Sequence, residues 1–165
     1  MFSALQFRLG YGIWELEEDR PVSGSEIRSR IAGQHAELRE LLREIETLAK
    51  RFEQSAGNTP AVGNQLHERG LALYEKFGAH LESEQELLEP ALRRTGPEGE
   101  RLANRLRNEH HEQRELLKYL IARLEGSPEP TILIARELQH FAGFLRHEMA
   151  HEEETMLSPA ALEGH

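Results

Sequence analysis

His80 and Glu84 stand four residues apart, one helical turn, with Phe77 one turn before them and Leu87 and Leu88 one turn after. That spacing places an imidazole and a carboxylate on the core-facing stripe of a helix. Two such groups directed together into an apolar core are costly unless something neutralises and coordinates them. A divalent or trivalent metal ion does both. His35 has the same inward character, falling between Ile31 and Leu38 at helical spacing. Of the adjacent pair His110 and His111, the first is the inward one. Leu116 and Leu117 follow it as Leu41 and Leu42 follow His35, and Leu106 precedes it as Ile31 precedes His35. His111 then falls at a helix flank.

The C-terminal part is crowded with donors: His140, His147, Glu148, His151, Glu152, Glu153 and Glu154. Two helical phases compete there. In one, Leu145 and Met149 flank Glu148, Glu152 follows a turn later, and the two glutamates take the places that His80 and Glu84 hold upstream. In the other, His147 faces inward. Continuity of the apolar stripe favours the first phase, while a bend near the helix end would bring His147 to the site together with Glu152. Singly, each of these residues has a bland explanation, a satisfied core histidine or a solvated carboxylate. Jointly, they require four helices each to place a metal-competent group at comparable depth, which surface polarity does not select.

Four helices are what the rest of the chain predicts. Ser23-Gly24-Ser25-Glu26 is a capping box opening the first, whose apolar residues recur at helical spacing from Ile27 to Leu48. Gly57-Asn58-Thr59-Pro60 closes it and starts the second, with Thr59 as cap and Pro60 at the first helical position. The second helix ends near Thr95-Gly96-Pro97. The third carries Leu102, Leu106, Leu116, Leu117, Leu120 and Leu124 and ends at Gly126-Ser127-Pro128. The fourth runs from about Thr131 to Leu157. Short loops between long amphipathic helices give an all-α, up-down-up-down four-helix bundle over residues 23–160. Residues 1–22 read as an apolar N-terminal arm that packs across the bundle or forms a subunit contact.

Composition narrows the chemistry. At 165 residues the chain is one domain by length, and its net charge of −9, without a free-standing basic block, argues against nucleic-acid binding. Cysteine is absent, so thiolate sites, iron–sulfur clusters and disulfides drop out. Any metal must be held by nitrogen and oxygen. No segment reaches the ~18 apolar residues of a membrane span, and the N-terminus lacks a signal-peptide pattern. The expected location is the cytoplasm.

As a set, these motifs resemble the hemerythrin-like, or HHE cation-binding, domain family over about residues 26–160. The matched pattern is a His on helix one (His35), HxxxE on helix two (His80, Glu84), a His on helix three (His110) and a His/Glu cluster on helix four. The run from His80 to Pro90 is similar to the family's His-acid-acid-Pro segment, and Glu152-Glu153-Glu154 ahead of Pro159 to its second copy. The sequence departs from the family twice. Helix three lacks the HxxxH pair of oxygen carriers, having Arg114 and Glu115 there, and on helix four Glu148 holds the place of the expected histidine unless His147 serves.

The resemblance implies a non-haem centre of two iron ions able to bind O2 or NO. Imidazole and carboxylate together also suit manganese or zinc. The expected metal ligands are His35, His80, Glu84, His110, His147 or Glu148, and Glu152, with Glu84 and Glu152 bridging. Iron handling and sensing fit the same set. A di-iron oxidase, ferroxidase-like or peroxidase-like, is the alternative. No nucleophile–base pair or phosphate loop is present, so binding is favoured over catalysis. The arm and the small bundle allow a monomer or a homodimer.

Overall fold

The computed structural model describes residues 22–56, 59–126 and 132–163. Apart from Val22, the expected arm lies outside the described residues. Six α-helices and one π turn make up the described fold: α1 (Gly24–Gln54), α2 (Pro60–Ser83), a π turn (Glu84–Leu88), α3 (Glu89–Arg93), α4 (Pro97–Gly126), α5 (Ile132–Thr155) and α6 (Pro159–Glu163). Among the described residues there is no strand. α1 packs against α2 and α5, α2 against α4, and α4 against α5, which closes the ring of an up-down-up-down bundle.

Local chemistry fixes the boundaries. The Ser23 hydroxyl accepts from the Glu26 backbone N–H at 3.3 Å, and the Ser23 N–H donates to the Glu26 carboxylate at 2.8 Å. Both halves of the capping box are therefore made. Pro60 opens α2 as expected, but Thr59 contributes only its position, since its side chain makes no capping bond. Gly96, at φ 98°, ends α3 in the left-handed region that side chains disfavour. Just beyond, Gly99 lets α4 start against α3. A Cβ there would sit 1.9 Å from the Leu92 carbonyl oxygen.

The second helix is not the continuous rod expected to reach Thr95. It widens into the π turn, where the Glu89 N–H donates to the Glu84 carbonyl, five residues back. Pro90 supplies the reason: it has no N–H to give, and its ring collides with the carbonyl four residues earlier in a regular helix. Two smaller departures concern exposure and the C-terminus. Leu116, expected in the core, is 43% exposed, beside Tyr119 and Phe144 on the outer face between α4 and α5. The chain also turns after Leu157 into α6, whose Leu162 is buried against the start of α1.

Apolar side chains fall into two separate clusters. The larger holds Leu38, Leu81, Leu117 and Met149 with their neighbours. The smaller holds Ile31, Leu88, Leu106 and Met156 with theirs. Each long helix passes from one to the other across a polar residue: His35 on α1, His80 and Glu84 at the end of α2, His110 on α4, Glu152 on α5. These residues form a buried polar layer through the bundle.

Candidate metal centre

All five side chains of that layer are buried: His35 and Glu84 fully, His80, His110 and Glu152 at 6% exposure or less. One donor atom each from His35, His80, Glu84 and Glu152 lies within 4.8 Å of the others. Glu84 is at the centre. Its Oε1 is 3.7 Å from His35 Nε2, and its Oε2 is 3.4 Å from His80 Nε2 and 2.8 Å from His110 Nε2. Glu152 closes the group from α5, with Oε2 3.4 Å from His35 Nε2.

The inward nitrogens are aimed by what the outer ones touch. His35 Nδ1 is 2.9 Å from Glu153 Oε1, and Arg39 holds that carboxylate with two parallel bonds of 2.9 Å. His80 Nδ1 is 3.2 Å from the Gln34 carbonyl oxygen, while the Gln34 amide donates to Ser83 at 2.9 Å. With those acceptors outside, the neutral form of each ring keeps its proton on Nδ1 and leaves Nε2, directed to the centre, for a cation. Sequence reading did not find these supports. Arg39, one turn beyond His35, offered a weak signal; Gln34 offered none, because its role depends on how α1 meets α2.

Electrostatics sort the group into charged and neutral members. Burial opposes a charge on His35, but the carboxylates of Glu152, Glu84 and Glu153 outweigh it and raise its pKa to about 9. For His80 burial wins and lowers the pKa to about 4, with Glu84 opposing and His35 and His110 adding to the fall. Burial also works against the Glu84 anion, but the surrounding imidazoles hold it below the usual carboxylate range. Glu152 is pushed up by burial and by the Glu84 charge. One carboxylate thus keeps the negative charge while the other shares a proton with His35.

The remaining expected ligands lie elsewhere. His147 is exposed and Glu148 only half-buried, and neither belongs to the group of converging donors. The inward stripe of α5 runs Leu145, Met149, Glu152, Met156. Glu148 therefore sits at its edge, and no bend carries His147 round. His111 is exposed, as its flank position requires.

Polar atoms this deep are normally paired. Here His35 Nε2, His110 Nε2 and both Glu84 oxygens are buried without a well-formed hydrogen bond. Donor atoms converging from three imidazoles and two carboxylates could, once their protons are displaced, hold a hard or borderline cation. An all-helical bundle with such a layer defines a class of cation-binding bundle proteins. The model of the hemerythrin HHE cation binding domain matches residues 26–160, and the chain belongs to that family. No curated protein and no solved structure matched the chain.

Proposed function

We propose that the protein binds a pair of non-haem iron ions and uses them to bind O2 or NO, or to handle or sense iron. Glu84 carries this reading. A fully buried carboxylate has one oxygen toward His35 and the other toward His80 and His110, the disposition expected of a bridging ligand. Glu152 would be the second bridging group, and the three imidazoles would be terminal ligands. When bound, such ions supply reversible redox and ligand exchange at an open position. The chain's own part is to orient three Nε2 atoms, keep one carboxylate anionic and exclude bulk water. Three histidines are few for two ions, so open positions would remain for a diatomic ligand. Manganese or zinc would satisfy the same donors. A cytoplasmic setting agrees with the cysteine-free chain, and no helix among the described residues is long and apolar enough to cross a membrane.

The test is elemental analysis and an optical spectrum of protein prepared without a His tag. Two irons per chain, with bands that change on adding azide or oxygen, are expected. Glu84→Ala should lose at least one ion. A folded protein that takes up none of ferrous iron, manganese or zinc would overturn the reading. A second reading, a ferroxidase-like or peroxidase-like oxidase, is favoured by the share of carboxylate in the donor set. Steady turnover with ferrous iron or peroxide would select it, whereas a stoichiometric, reversible spectrum would select binding.

A further inference from the structure

The third imidazole of the layer differs from the other two. His35 has Glu153 behind it and His80 has Gln34, but His110 has no hydrogen-bonded partner at Nδ1 among the described residues. Its Nε2 is turned toward Glu84, which leaves Nδ1 as its polar atom for the opposite side. On that side a cleft of about 220 Å³ opens between the π turn and α4, lined by Gln85, Glu89, Arg107, His110, His111 and Arg114.

The charge in this cleft is positive. Its one carboxylate, Glu89, is buried and already held by Arg93 at 2.9 Å and by Arg107. Arg114 is half-buried, one turn beyond His110, and makes no hydrogen bond or ion pair among the described residues. Glu109 is engaged by Arg105 and Glu115 by Lys118, while Glu75 and Glu82, which line the neighbouring cleft with Arg114, make no ion pair with it. A half-buried arginine without an ion pair, beside an imidazole nitrogen without a partner, lacks one component. That component is an anion with several acceptor oxygens.

We infer that the cleft beside His110 binds a small oxyanion, which accepts from Arg114 and from His110 Nδ1–H. The anion gives His110 the support that Gln34 and Glu153 give the other two imidazoles, and holds its Nε2 directed at Glu84. Arg114 is a positioning residue, acting on the centre through the anion and His110. The anion site stands on the cleft alone; its effect on metal affinity rests on the metal reading above.

Inorganic sulfate is the probe, with formate run in parallel to distinguish a tetrahedral from a planar oxyanion, both at constant ionic strength in chloride. The readout is the ring-nitrogen NMR spectrum of the labelled full chain. Saturable movement of His110 Nδ1 is expected, with the dissociation constant raised at least tenfold in Arg114→Gln and the His35 and His80 signals little changed. Arg114→Lys, which keeps the charge, should recover part of the affinity. The inference is overturned if His110 does not respond saturably, or if Arg114→Gln binds both anions as tightly as the parent. A zinc titration of the same samples separates the two claims. Failure to bind zinc, manganese or iron removes the metal reading and leaves the anion result standing. Zinc affinity indifferent to a bound anion removes the supporting role.

Discussion

At the scale of single residues, the centre is a problem in proton placement. His35 holds its proton to a pKa of about 9 in the metal-free protein, so near pH 7.5 a cation must displace it. Calorimetry in buffers of different ionisation enthalpy should record release of at least about one proton per chain at that pH. Apparent affinity should rise about tenfold per pH unit for each proton displaced, levelling as pH passes that of His35. Metal-free stability moves the other way. A raised histidine pKa contributes stability fully below about 6.5 and loses it as pH climbs through about 9, so thermal midpoints should fall over that window. On the acid side the signs oppose. The depressed His80 favours the folded state less as pH falls from 6.5 toward 4, while the raised Glu152 favours it more.

The supports of His35 yield a second prediction. Glu153→Ala removes the acceptor at Nδ1 and leaves Arg39 without its carboxylate. Metal affinity should drop about 10–100-fold with the fold intact, readable by competition with a chelator. If affinity is unchanged, Glu153 is only a surface ion pair. The five buried members of the layer were legible from helical spacing because each interrupts an apolar stripe. His147 and Glu148 were not separable from Glu152 by spacing, since a crowded run of donors satisfies more than one phase. Glu153 and Gln34 depend on contacts between helices, for which one chain's periodicity carries no signal.

Among elements, the join between α2 and α4 governs where Glu84 stands. Pro90 forces the wider turn, the π turn begins at Glu84, and Gly96 and Gly99 permit the reversal into α4. Gly99→Ala would drive a methyl against the Leu92 carbonyl and the Thr95 hydroxyl, 1.9 and 2.2 Å from the ideal Cβ position, and the backbone itself would have to move. A loss of about 2 kcal/mol or more is expected in denaturant unfolding. Gly78, whose surroundings are open, is the control. There an alanine should be neutral or mildly stabilising, by up to about 1 kcal/mol. Caps and breaks were readable because Ser, Pro and Gly act locally. The π turn was missed because Pro90 was read only as part of a motif. The outward turn of Leu116 was missed because the parallel with Leu41 and Leu42, both buried in the larger cluster, does not carry over to α4, where Leu117 is buried and Leu116 faces out.

For the whole molecule, the defining feature is the seam between two apolar clusters. The larger cluster has long stretches of α1, α2, α4 and α5 around it, whereas the smaller is closed by the π turn, the short α3 and α6, and the first turns of α1 and α4. Hydrophobic attraction is short-ranged, so a slab of imidazoles and carboxylates gives the two halves little reason to cohere.

A cation gripped from four helices would act as a rivet through that slab. Without it, the end bearing Ile27, Leu106 and Met156 should breathe on its own, while Leu42 and Leu138 keep the protection of global unfolding. Amide exchange would then report occupancy even for a spectroscopically silent ion such as zinc. Loading should slow exchange chiefly at the small end, and uniform slowing of both ends would mean that the bundle already unfolds as one piece.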